Sequence, residues 1–351
     1  MTTATMKAAV LAGPKKIEIR EIPVPEMKPG FLEIDVSACG VCGSDIHMWK
    51  AGKGWAKQDG PFVMGHEFCG VVSNPGESDF KVGERVTFWA NLYCGKCDMC
   101  RKGLEHLCRD VNGTNYMGFV CNGAYAEKFA HRAMNAYRLP DSVSDIAAGL
   151  IDPLMVAYHA VQKADIKLLD KVLVVGTGII ANMIGELAKM RGASYVAVSK
   201  VNDVKVRKMK EIGIFDEYFD GTDPNVANVL REATRGGFDV AFEVVGLGET
   251  LDECIDSVKP GGKVVMIGNS IDPKVAFSMN RAVLQEIQLL GSVSCTRVEF
   301  EETIKLIATG KFDPVKYVTD VVSLDDLQRT FERQIDPNDP LMKAVVKMEA
   351  N

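Results

Sequence analysis

The run Val172-Leu173-Val174-Val175 followed at once by Gly176-Thr177-Gly178 leaves this chain few folds to choose from. Four consecutive apolar residues suit a parallel strand buried on both faces. Behind the glycines, Ile180, Met183, Ile184, Leu187 and Ala188 recur at helical spacing and form an amphipathic helix. A buried strand, a tight glycine turn and a helix make the first unit of a doubly wound parallel sheet. Residues 195–198 read as the next strand, and further strands fit at 239–244 and 263–267.

The remainder has a different texture. Residues 6 to about 153 read as short strands separated by Gly and Pro turns, with Leu32-Glu33-Ile34-Asp35-Val36 and Val82-Gly83-Glu84-Arg85-Val86 as examples. From about residue 296 the chain returns to this mixed character and closes on the apolar Ala344-Val345-Val346. A chain of 351 residues exceeds one typical core, so two domains are expected. The expected fold is α/β: a β-rich catalytic domain (1–155, with a cysteine lobe at about 91–110), a Rossmann dinucleotide-binding domain (156–296), and a return to the catalytic domain (297–351).

The formal net charge of −6 does not suit a surface for nucleic acid or anionic membranes. No run of about 18 apolar residues is present to span a bilayer, and residues 1–6 lack the pattern of a signal peptide. A cytoplasmic location is expected. In such a protein ten cysteines point to metal or redox chemistry, not to disulfides.

Cys94, Cys97, Cys100 and Cys108 are spaced C-x2-C-x2-C-x7-C. Four thiolates at such spacing complete a closed tetrahedral zinc shell, and a closed shell is structural. A bacterial iron–sulfur motif would place its fourth Cys after three residues and follow it with Pro; here seven intervene and Arg109 follows. A second set lies upstream. Cys42-Gly43-Ser44-Asp45-Ile46-His47 and Gly65-His66-Glu67 offer a thiolate, an imidazole and a carboxylate. A catalytic zinc typically has three protein ligands and one open position.

Together these stretches resemble the zinc-dependent medium-chain dehydrogenases, the superfamily of alcohol, polyol and threonine dehydrogenases. The resemblance is carried by Cys39 to His47, Gly65 to Val72, Val82 to Val86, the cysteine lobe, Gly123-Ala124-Tyr125-Ala126-Glu127, Asp152-Pro153-Leu154, Gly176-Thr177-Gly178 and Lys259-Pro260-Gly261-Gly262-Lys263. They span nearly the whole chain in family order. The resemblance implies a GroES-like catalytic domain beside the Rossmann domain. It makes Cys42, not Cys39, a catalytic-zinc ligand, with His66 and Glu67 as the next two. Asp152 falls where many relatives carry a further metal-side Cys or Glu, and resembles the Asp of bacterial NADP-dependent secondary-alcohol dehydrogenases. The implied activity is hydride exchange between a secondary alcohol or polyol, or its ketone, and NADP(H) or NAD(H). Ser44 matches the family's relay hydroxyl and His47 its relay histidine; Asp45 supports the zinc site from behind. A homotetramer or homodimer is implied.

Gly176-x-Gly178-x-x-Ala181 is the dinucleotide fingerprint, with Ala in its third place. An acidic residue about 20 positions further on would bind the ribose 2′-hydroxyl and repel a 2′-phosphate. Aligned with the family's segment through Gly213, Lys200 stands there, preceded by Ser199 and followed by Lys205, and a Ser followed by a cation resembles the phosphate pocket of the NADP-dependent relatives, which Tyr218 could close. That set favours NADP over NAD; Asp203 is the candidate for serving a ribose instead. Gly291-Ser292-Val293 is followed by Ser294-Cys295, where polyol dehydrogenases carry an Arg-Tyr pair, which argues against a sorbitol-like substrate. Lys53, Trp49, Trp55, Tyr116, Phe119 and Arg297 are candidates to line a substrate cleft. Two other readings compete: a zinc-free quinone-reductase type on the same scaffold, which would lack both cysteine-bearing sets, and a non-enzymatic zinc module, which would need a basic face.

Overall fold

A computed structural model describes residues 4–56, 60–109, 116–200, 203–269 and 274–349. The chain divides into two compact units, one made of 1–152 and 296–351, the other of 153–295. The expected divisions after 155 and 296 lie three residues and one residue further along.

In the first unit, β1 (Thr5–Gly13) and β2 (Lys16–Pro23) form an antiparallel hairpin. The main sheet holds β3 (Phe31–Gly40), β4 (Glu67–Asn74), β5 (Arg85–Phe88), β6 (Lys128–Arg132) and β7 (Ala136–Arg138). Val82 to Glu84, read in the sequence as strand, precede β5 instead. Gly83 sits at φ +89°, outside any strand conformation, and Val82 is exposed. The chain's return adds β14 (Asp320–Val322) and β15 (Ala344–Lys347), and β15 pairs antiparallel with β3. The apolar end of the sequence thus lies in mid-sheet. Leu32, Ile34 and Val36 alternate into a core with Val63, Phe68, Phe129 and Val346.

The second unit is a six-stranded sheet of β8 (Lys171–Val175), β9 (Tyr195–Lys200), β10 (Glu217–Asp220), β11 (Phe238–Glu243), β12 (Val258–Met266) and β13 (Gln288–Gly291), in the order β10-β9-β8-β11-β12-β13. All its pairings are parallel. The order reverses between β8 and β11, the switch point where open α/β sheets bind ligands beyond their carboxyl ends. β12 starts earlier than the sequence suggested, running through Pro260; its pairing with β11 shifts register there. No helix among the described residues is long and apolar enough to cross a membrane.

Candidate metal centres and cofactor site

The register of β3 against β4 sets Gly40 opposite Glu67. Only glycine fits there: a Cβ would fall 2.2 Å from the Glu67 carboxylate. Beyond β3, Cys42 caps the Gly43–Ala51 helix. The polypeptide reverses near Gly65, bringing His66 and Glu67 back to Cys42. The ligand atoms of Cys42, His66 and Glu67 all lie within 4.8 Å of one another, with His66 and Glu67 buried.

The surroundings organise this trio. One Asp45 oxygen accepts from the Cys42 N–H (3.0 Å) and the Tyr125 hydroxyl (2.7 Å), and the other lies 3.4 Å from His66 Nδ1. Burial works against the Asp45 charge, yet His66, Cys42 and Tyr125 hold its carboxyl below the usual range. Glu67 Oε2 accepts from the buried Lys343 ammonium, which also donates to Val41 O at 2.8 Å. Glu67 Oε1 and Ser44 Oγ are buried without a hydrogen-bond partner. Burial opposes a charge on His66, but Asp45 and Cys42 still drive its pKa well above the ordinary value. A field that negative, around a thiolate, an imidazole and a carboxylate oxygen without a partner, suits a divalent cation of zinc's preferences.

Asp152 does not join the trio. It lies in the first turn of the Ile151–Ala164 helix, where burial pushes its carboxyl up to about 7, with the charge of His66 lowering it and that of Glu67 raising it. Ser44 and His47 are three residues apart on the helix and so share a face, with His47 exposed. Phe119 packs edge-on against the His66 ring (4.6 Å) and against Trp55 (4.5 Å), with Tyr116 beside them. These three aromatic residues flank the centre. Trp49 does not: it is buried against Phe331. Arg297 is engaged elsewhere, donating to the Tyr137 hydroxyl at 3.1 Å and lying over the Tyr93 ring.

The four-cysteine lobe gathers as its spacing implies. Cys94 and Cys100 Sγ are 3.9 Å apart, Cys97 and Cys100 3.5 Å, and Cys97 and Cys108 3.9 Å. A tetrahedron of thiolates about 2.3 Å from a zinc ion has edges of about 3.8 Å. Backbone N–H groups point at the sulfurs: Lys96 and Cys97 donate to Cys94, and Cys94 to Cys108. Such bonds hold the Cys97 thiol below its usual range, those from Cys100 and Arg109 foremost. No cysteine is in a disulfide.

At the cofactor fingerprint, Gly176 turns at φ +134°, and a Cβ would strike Val244 at 2.6 Å. Gly178 differs: a Cβ there would meet nothing of the protein. Its glycine leaves room at the start of the Ile179–Met190 helix, where a dinucleotide pyrophosphate approaches the backbone. Ala181 is fully buried. Ser199 and Lys200 end β9, and the Lys200 ammonium is paired with Asp203. Lys205 lies in the first turn of the Asp203–Ile212 helix. Tyr218 does not stand with Ser199. It pairs with Val198, one position out of phase, and packs against Phe215 and under the Lys210 ammonium. It therefore shares a sheet face with Lys200, and Ser199 points to the other face.

Lys343 carries no sequence signal of its role, since it lies 276 positions from its partner Glu67. Tyr125 lies in the Gly123–Glu127 motif, but its spacing carries no sign of a bond to Asp45.

Two family models match the chain: the alcohol dehydrogenase GroES-like domain at residues 28–141 and the zinc-binding dehydrogenase at 180–309. An L-threonine 3-dehydrogenase from Rhizobium rhizogenes is 32% identical over 93% of this chain and 94% of its own length. An (R,R)-butanediol dehydrogenase from Neisseria gonorrhoeae is 30% identical over 97% and 99%. Among solved structures, 2R,3R-butanediol dehydrogenase from Bacillus subtilis superposes with a TM-score of 0.86 at 28% identity, covering 97% of this chain and 99% of that one. A Sinorhizobium meliloti 1021 structure bound to NADP gives 0.85 at 28%, covering 98% and 99%. The chain belongs to the zinc-dependent medium-chain dehydrogenases and is an alcohol or polyol oxidoreductase acting on CH–OH donors with a nicotinamide cofactor.

Proposed function

We propose that this enzyme interconverts a secondary alcohol or polyol and its ketone using two zinc ions per chain, with NADP preferred over NAD. The observation that carries this reading is the pair of unlike ligand sets in one unit, a closed thiolate tetrad and an open Cys42–His66–Glu67 trio. The tetrad fits a structural ion. The trio fits a catalytic one, with Asp152 acting on it electrostatically and not as a fourth ligand.

Cys42, His66 and Glu67 would hold a zinc ion, which would supply Lewis acidity toward a substrate hydroxyl. The protein handles the proton. Ser44 Oγ, buried and without a partner, receives it, and His47, exposed one helical turn on, releases it to solvent. Asp45 fixes the His66 ring, Tyr125 fixes Asp45, and Lys343 holds one Glu67 oxygen. Gly176 and Gly178 seat the pyrophosphate, and the buried Ala181 lets the helix pack closely on the strand. Lys200, with Lys205 nearby in sequence, favours a 2′-phosphate over a bare ribose. Its partner Asp203 is largely exposed, so solvent screens the contact that a phosphate must displace. Ser199 and Tyr218, on opposite sheet faces, do not serve that phosphate together; Tyr218 stands on Lys200's side. Assembly as a homotetramer or homodimer, in the cytoplasm, completes the reading.

One preparation tests it. Metal analysis should find about two zinc ions per chain, and a panel of ketones and polyols should turn over more efficiently with NADP(H) than with NAD(H). One zinc or none overturns the metal assignment. A preference for NAD overturns the cofactor choice. A light-scattering mass of one chain overturns the oligomer.

A further inference from the structure

Two carboxylates near the cofactor end of the second unit have opposite surroundings. Glu243, closing β11, is fully used: its Oε1 accepts from the N–H groups of Val245 (2.8 Å) and Gly246 (2.7 Å) and from the Thr250 hydroxyl (2.8 Å). It shapes the loop after β11. Glu253, in the Gly248–Ser257 helix, has a buried Oε1 with no partner. Its neighbour is Ser199, a side chain only 2% exposed whose hydroxyl also lacks a partner in hydrogen-bonding geometry. Burial pushes the Glu253 carboxyl up to about 7, and the nearby Ser199 hydroxyl tempers that rise. Ser199 can satisfy at most one of the acceptor positions of this carboxylate, so a ligand that donates a further bond to Glu253 is favoured.

Their place in the fold says which ligand. Ser199 registers with Phe219 across the sheet, and Phe219 packs in one cluster with Leu230, Leu251 and Cys254. This is the sheet face covered by the Gly248–Ser257 helix. Ser199 also registers with Val175, the last residue before the Gly176 turn, so the pair sits at the carboxyl edge where a dinucleotide lies. At the end of β9 the adenosine half of the cofactor is the part in reach. A 2′-phosphate is repelled by a carboxylate and suits Lys200, whose side chain leaves β9 on the other face. The donors on that half are the ribose hydroxyls, which belong with the 2′ position on the Lys200 side of the strand, and the exocyclic amino group of adenine, which is left to a carboxylate on the opposite face.

We propose that Glu253, positioned beside Ser199, reads the adenine base of the cofactor by accepting a hydrogen bond from its exocyclic amino group. The proposal rests on the cofactor reading above and adds to it a determinant independent of the 2′-phosphate. The test is calorimetric titration of the zinc-loaded enzyme with four dinucleotides: NADPH, NADH and the hypoxanthine analogue of each, in which an oxygen replaces the amino group. Wild type should bind each adenine form about tenfold tighter than its hypoxanthine analogue, the worth of one charge-assisted bond. Glu253→Gln offers a donor to the hypoxanthine oxygen and should bring the two bases within about threefold. Glu253→Ala should abolish the discrimination. In all variants the NADPH to NADH ratio should stay at its wild-type value. Equal binding of both bases by wild type overturns the proposal while leaving the cofactor reading intact. So does a substitution that moves the NADPH to NADH ratio and spares the base ratio. Failure to bind any dinucleotide overturns both.

Discussion

The cysteine lobe and the Cys42 centre lie in the same unit and could bind the same ion, yet they are built on different principles. The lobe is local: its four sulfurs come from fifteen consecutive residues, and its supporting hydrogen bonds come from its own backbone. The Cys42 centre is assembled from afar. Its ligands arrive on a helix cap and the start of β4, and its supporting groups are Tyr125, 80 residues beyond Asp45, and Lys343, 276 beyond Glu67. A local site with four like ligands closes on its ion and staples a loop. A site from several elements leaves a face open and lets each supporting residue tune one ligand.

Replacing one sulfur in each site should split the two roles. Cys42→Ala should lower kcat/KM by at least about 1,000-fold, because a Lewis-acid metal is worth several kcal/mol to the transition state. Its thermal midpoint should stay near that of wild type. Cys97→Ala should do the reverse, lowering the midpoint by roughly 10 °C or more while folded chains still turn over. Each variant should retain about one zinc per chain. Near-normal turnover by Cys42→Ala with metal bound removes the distinction between the sites.

The long-range support is tested by Lys343→Met. Breaking a buried ion pair on one side leaves an uncompensated charge and costs about 3–5 kcal/mol. Urea unfolding should show that loss, and adding Glu67→Gln should recover most of it. A loss under about 1 kcal/mol would mean that Lys343 is a spectator.

The relay makes a smaller claim. Ser44→Ala should reduce kcat by about 100-fold, and His47→Gln by less than about tenfold, because water reaches the exposed position and not the buried one. Equal losses from the two, measured across the pH range, would contradict the order Ser44 then His47.

Smallest is Lys200→Asp, which removes an attraction for a 2′-phosphate and adds a repulsion. The ratio of catalytic efficiencies should move toward NAD by at least about tenfold. The turnover number at saturating cofactor should hardly change. An unmoved ratio would place the phosphate contact elsewhere.

The sequence by itself determined whatever is local. The Val172–Val175 run and its glycines specify a buried strand and a phosphate turn, because period and backbone freedom are properties of neighbouring residues. The lobe spacing specifies a tetrad for the same reason. Cys42, His66 and Glu67 were legible through the motifs around them. Local sequence carries no information where side-chain direction depends on register or on distant chain. Val82 to Glu84 alternate like a strand, but Gly83 breaks the conformation. Tyr218 is near Ser199 in the sheet, but the pairing puts it one residue out of phase and on the other face. Asp152 stands at a ligand's place in the motif, while the fold leaves it outside the trio. Only the tertiary structure could bring Lys343 to Glu67 and set Glu253 beside Ser199. A buried charge is assigned its partner by the packing of the whole unit, and no local pattern encodes that.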